Sequence, residues 1–71
     1  MDNYITGTLI KKLRESRKMT QEELEKKSGV SRQTISAIEN GKGGSVKIGT
    51  LSALARAMDT TVDAIFFPDA V

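Results

Sequence analysis

Residues 20–41, TQEELEKKSGVSRQTISAIENG, carry the start and stop signals of two short helices on either side of a tight turn. Thr20 is placed to N-cap the first of them. Glu23 stands at the third helical position, where a carboxylate reaches back to the cap's own N–H and completes a capping box. Gly29 is the residue type that closes such a helix most easily, because it enters the left-handed region at no steric cost. Ser31 offers a second N-cap two residues later, Ile35 and Ile38 give the next helix an apolar stripe, and Asn40-Gly41 form a C-cap pair tolerant of left-handed dihedrals. These signals predict helices over residues 21–27 and 32–39.

Two helices joined in this way form a helix-turn-helix, spanning about residues 20–41, in which the second helix enters the major groove of DNA while the first crosses the backbone. On the N-terminal side, Ile5, Leu9, Ile10 and Leu13 recur at helical spacing and predict an amphipathic helix over about residues 6–17. On the C-terminal side, the segment from Lys42 to Gly49 holds Gly43, Gly44 and Gly49 with no sustained period, the pattern of a mobile loop. Thr50 is the candidate cap of a fourth helix with Leu51, Leu54, Ala55 and Met58 as its buried stripe. Asp59-Thr60 then turn the chain, and Thr61 caps a short fifth helix that carries Val62, Ile65 and Phe66 and stops at Pro68. There is no internal repeat, low-complexity tract or alternating run long enough for a sheet.

A chain of 71 residues has room for one small domain, here residues 1–71, near the lower limit at which a hydrophobic core sustains a fold without staples. Cysteine and histidine are both absent, which excludes disulfides and thiolate or imidazole metal ligands. With Tyr4 the single tyrosine, the usual general bases and nucleophiles are missing, so the expectation is a non-enzyme with no cofactor, no metal and no small-molecule ligand. The opening MDNYITGTLIKKLRE interleaves charge with apolar residues, unlike a signal peptide or a membrane span, and a cytoplasmic location is expected. The net charge of +2 is modest, but its distribution is uneven. Lys11, Lys12, Arg14, Arg17 and Lys18 oppose only Glu15, whereas residues 51–71 set Arg56 against Asp59, Asp63 and Asp69. This polarity suits a protein that meets phosphates with one surface and keeps the other end for a second contact, although an ordinary solvated surface has a similar look.

The pieces LRESRKMTQEEL, SGVS, SRQTISAIENGK and TLSALARAMDTTVDAIF, in this order, resemble the Cro and phage-repressor type of helix-turn-helix domain, also called the xenobiotic-response-element family. The resemblance covers nearly the whole chain. It implies an all-α, compact five-helix bundle and a sequence-specific regulator of transcription that binds double-stranded DNA. It also implies that Arg14 and Glu39 pair across the first and third helices to fix the reading helix, the competing role for Arg14 being a free phosphate ligand. Two features depart from the family. Glu25 stands where a small Ala is common, so either the second and third helices are spaced differently or the carboxylate leans outward along its methylenes. The loop after Gly41 is longer than usual and lacks the frequent proline.

With Ile35 and Ile38 facing inward, Arg32 and Gln33 point outward from the first turn of the third helix. Arginine bonds bidentately to guanine and glutamine to adenine. Ser36 and Ala37 lie one turn on, where Ala37 suits a thymine methyl and Ser36 several acceptors, the alternative for both being plain helix surface. Phosphate contacts, which set register without reading sequence, fall to Gln21 at a helix N-terminus, Ser31, Thr34, Asn40, Lys42 and Lys47. Thr34 has local capping as its alternative. One such domain covers little DNA, so a repressor acting as a homodimer on a palindromic operator is expected, with Phe67 and Val71 as its interface. A disordered tail is the alternative there. The rival function is an antitoxin-like module whose acidic C-terminal half binds a second polypeptide.

Overall fold

The computed structural model describes residues 3–42, 44 and 46–67, and of residues 3 to 5 the backbone alone. These residues form five helices: α1 (Asn3–Ser16), α2 (Gln21–Ser28), α3 (Arg32–Glu39), α4 (Ile48–Ala57) and α5 (Val62–Phe66). There is no strand among them, and no helix is long and apolar enough to cross a membrane.

Local chemistry sets the start of α2 and both ends of α3 as the sequence predicts. The Thr20 hydroxyl accepts the Glu23 N–H at 3.0 Å while the Glu23 carboxylate accepts the Thr20 N–H at 3.0 Å. That backbone N–H, and secondarily the Thr20 hydroxyl, holds the Glu23 carboxyl below its ordinary pKa. A depressed carboxyl contributes its stability above the ordinary value of about 4.3 and loses it as the pH falls through the lower folded value. Gly29 closes α2 with φ of 76°, and Ser31 caps α3 by accepting the Thr34 N–H at 3.2 Å. At the end of α3, Gly41 takes φ of 72° while its N–H and that of Lys42 donate to the carbonyls of Ile38 and Ala37, a Schellman arrangement.

Four boundaries differ from those predicted, among them the end of α2, which falls at Ser28 rather than at residue 27. α1 covers residues 3–16 rather than 6–17, beginning one turn earlier than the apolar spacing indicates. Thr50 does not cap α4; it lies in the first turn of a helix that begins at Ile48, and Ile48 and Gly49 are helical rather than loop. The reason is tertiary. Val46 packs against the core and fixes the chain ahead of Lys47, whose extended backbone offers its carbonyl to the Leu51 N–H at 3.0 Å without any side-chain cap. α1 and α4 end alike, each on a non-glycine residue in the left-handed region, Lys18 and Asp59. Thr61 caps α5 as expected by accepting the Ala64 N–H at 3.1 Å, whereas Pro68 lies outside the described residues.

Ile10, Leu24, Ile35, Ile38, Leu51, Leu54, Ala55, Met58 and Ile65 make the core, with Leu9, Leu13, Met19, Val62 and Phe66 among those packed on its margin. The main helix interfaces close a ring: α1 packs on α3, α3 on α2, α2 on α4, α4 on α5 and α5 back on α1. Arg17 braces that closure, its Nε donating to the Met58 carbonyl at 2.6 Å.

Two helical glycines predict opposite outcomes for one substitution. A Cβ on Gly7 would lie far inside contact distance of the Ile38 carbonyl oxygen and 3.1 Å from that of Glu39, so α1 sits on α3 only because this side chain is absent. Gly7→Ala is expected to lower the unfolding free energy in urea by about 1–3 kcal/mol. A Cβ on Gly49 meets nothing within 4 Å, and Gly49→Ala is expected to raise it by about 0.5 kcal/mol through helix propensity and the unfolded chain.

Candidate nucleic-acid interface

α3 is held on its inner side by Ile35, fully buried, and Ile38, nearly so. The period of 3.6 residues then turns Arg32, Gln33, Ser36 and Ala37 the other way. Arg32 and Gln33 are exposed, Ser36 and Ala37 half-buried, and all four line one open concavity together with Gln21, Asn40 and Lys42. The four residues expected to read bases and three of the six expected to meet phosphates are thus gathered on a single face. Ser31 and Thr34 stand at the N-terminal end of α3 outside that lining, and Lys47 is the exposed N-cap position of α4, also outside it.

Several of these side chains have work within the protein. Ser31 accepts the Thr34 N–H and gives its one hydroxyl proton to Thr34 Oγ1 at 2.9 Å, so the proton still available at this corner belongs to Thr34. The Asn40 amide approaches Ser36 Oγ at 3.4 Å, a weak contact at the reach of a hydrogen bond. Gln21 Nε2 donates to Glu39 Oε1 at 3.0 Å, which leaves its second amide N–H uncommitted in a residue that lines the concavity.

Behind the face lies the pair implied by the family resemblance. Arg14 Nε donates to Glu39 Oε2 at 2.7 Å and Nη2 to Oε1 at 3.0 Å, a two-pronged contact between side chains only 11% and 2% exposed. Arg14 Nη1 also donates to the Met19 carbonyl at 2.7 Å, immediately before the cap of α2. The hydrogen-bonded Glu39 carboxylate raises the Arg14 pKa above its already high ordinary value, more than burial lowers it, so the guanidinium keeps its charge at every pH at which the protein folds. Arg14 thus directs three of its five N–H donors inward, and the end of α1, the start of α2 and the end of α3 meet at one carboxylate.

Two contributors were not singled out from the sequence. Gly7 permits the close α1–α3 approach, which no local pattern announces. Glu25, noted only as a departure from the family, turns its carboxylate to the start of α3, where its Oε2 accepts the Arg32 N–H at 2.7 Å. An acidic residue seven positions ahead of a helix start is the sequence signal that could have pointed to it. Phe67 is 64% exposed, as expected, and Val71 lies outside the described residues.

A family model described as helix-turn-helix matches residues 10–65. The chain is 41% identical over 61 residues to the HTH-type transcriptional repressor RghR of Bacillus subtilis (strain 168), a match covering 86% of this chain and 45% of that protein. It is 44% identical over 52 residues to the uncharacterized HTH-type transcriptional regulator RghRB of the same organism, covering 73% and 37% respectively. The chain thus spans less than half the length of these curated relatives. A crystal structure of a mutant of the restriction-modification controller protein C.Esp1396I matches with a TM-score of 0.82 at 30% identity, over 90% of this chain and 80% of that one.

Removing one partner of a largely buried pair strands the other charge, so Arg14→Ala is expected to lower the unfolding free energy by about 3 kcal/mol, read by chemical denaturation. Arg14→Lys, which keeps the charge but loses the fork, should recover only part of it. Lost DNA binding with unchanged stability in Arg14→Ala would instead make this arginine a phosphate ligand.

Proposed function

The chain belongs to the Cro and phage-repressor type helix-turn-helix family, and from that premise we propose that it is a sequence-specific, double-stranded-DNA-binding regulator of transcription that acts as a repressor. The observation that carries this reading is the single outward face of α3, where Arg32, Gln33, Ser36 and Ala37 share a concavity with Gln21, Asn40 and Lys42. A guanidinium and a carboxamide on the first turn are suited to guanine and adenine edges, and the small Ser36 and Ala37 let the helix approach the groove floor closely. Gln21, Thr34, Asn40 and Lys42 border that face and set register on the phosphates. The name of RghR, a transcriptional repressor, supports the direction of regulation.

The functional unit is a homodimer on a palindromic operator with half-sites about 10 bp apart, because one eight-residue reading helix contacts too few base pairs for a useful specificity ratio. Phe67, exposed at the end of α5, is the anchor of that association.

Selection from random duplexes is expected to return a palindromic consensus. Arg32→Ala should erase preference at its own base pairs, a loss of about 1–3 kcal/mol of discrimination, whereas Lys42→Ala should weaken all duplexes alike and reduce the salt slope by about 1. Equal loss on cognate and random duplexes in Arg32→Ala rejects its base-reading role. Sedimentation of Phe67→Ser should show weaker self-association than the parent; identical behaviour removes Phe67 from the interface, and stable co-purification with a second polypeptide would favour the antitoxin-like alternative.

A further inference from the structure

We infer that Glu25 is a positioning residue for base reading, anchoring the first turn of α3 so that Arg32 and Gln33 enter the groove in one orientation; this rests on the DNA-reading role proposed above. The first turn of a helix has backbone N–H groups without intrahelical partners and is its most easily frayed part. In α3 that turn is also where both long base-reading side chains begin. The Ser31 hydroxyl takes the Thr34 N–H, three residues on, and does nothing for Arg32. Glu25 fills that gap: its Oε2 accepts the Arg32 N–H at 2.7 Å, a short, charge-assisted bond whose negative charge also lies at the favourable end of the helix dipole.

The origin of the acceptor gives the bond its functional content. A capping side chain from α3 itself would move with α3, but Glu25 belongs to α2, the helix that lies along the DNA backbone in the proposed complex. The Glu25 residue is half-buried, and its backbone is fixed where its carbonyl accepts the Gly29 N–H at 2.9 Å at the end of α2. The carboxylate therefore sets the rotation of the reading turn relative to the helix that registers the phosphates. It binds the backbone of Arg32 and not its guanidinium, which forms no ion pair among the described residues and stays available to a base. An Ala at this position, common in the family, offers no such anchor.

The test compares Glu25→Ala, Glu25→Asp and Glu25→Gln by selection from random duplexes, with helical content followed by circular dichroism. Asp keeps the charge but is one methylene short, while Gln keeps an acceptor at the same reach. The base pairs read by the first turn are those whose preference disappears in Arg32→Ala. Ala and Asp are expected to reduce preference at these pairs by about ten-fold while leaving pairs assigned to Ser36 and Ala37 within about two-fold, and Gln to restore the parental profile. Uniform loss along the site, an unchanged profile in Ala and Asp, or failure of Gln to restore it overturns the inference. So does unfolding of both Ala and Asp, since the anchor would then serve the fold and not the reading. A parent protein without any sequence preference overturns the DNA-reading role itself, and the inference with it, an outcome distinct from all of these.

Discussion

The Glu39 carboxylate is the point on which the geometry of this protein turns. It receives Arg14 from α1 on both oxygens and the Gln21 amide from α2 on one, while Arg14 also reaches the backbone at Met19. A charge so little exposed is tolerable only when its lone pairs are filled and its partner is fixed. The fold meets both conditions by drawing three helices to one spot. The cost of burying the pair makes it poor evidence for stability as such, but it is a stringent constraint on geometry, because any rotation of α3 about its axis would pull the carboxylate off the guanidinium fork.

That constraint works with two others of different physical kind. Gly7 lets α1 approach the end of α3 more closely than any side chain would allow, and the Ile35–Ile38 stripe seats the helix by shape. Electrostatics fixes the C-terminal end of α3, contact distance its middle and end, and the Glu25 carboxylate its beginning. The side chains of Arg32 and Gln33 are left without an internal hydrogen bond among the described residues, as befits a surface whose partners come from outside.

How much of this was legible in the sequence depended on the range of the interaction. The bounds of α3 and the start of α2 were readable because caps, capping box and glycine closure act within four residues. The outward set on α3 followed from the inward one by helical period alone. The start of α4 was misread for the converse reason: Thr50 is a good cap by type, but Val46 in the core and the Lys47 carbonyl decide the start, and neither shows in local pattern. Gly7 is unremarkable in sequence, since its role exists only against the carbonyls of Ile38 and Glu39, some thirty residues away along the chain. Glu25 was visible as an oddity, yet the direction of its carboxylate depends on the turn angle between α2 and α3, which sequence periodicity does not contain.

The circular order of helix interfaces has a consequence for how the molecule comes apart. A linear stack has end members, each held on one side, that peel away while the remainder stays folded. Here every helix is held on two sides, and Arg17 rivets the seam where the first helix meets the turn after the fourth. Detaching any one element sacrifices two contacts together and opens the interior to water, so partial melting has no cheap starting place. Such a hoop favours unfolding as one unit, and the seating of α3 in it, as distinct from the fraying of its first turn, is tied to the native state as a whole.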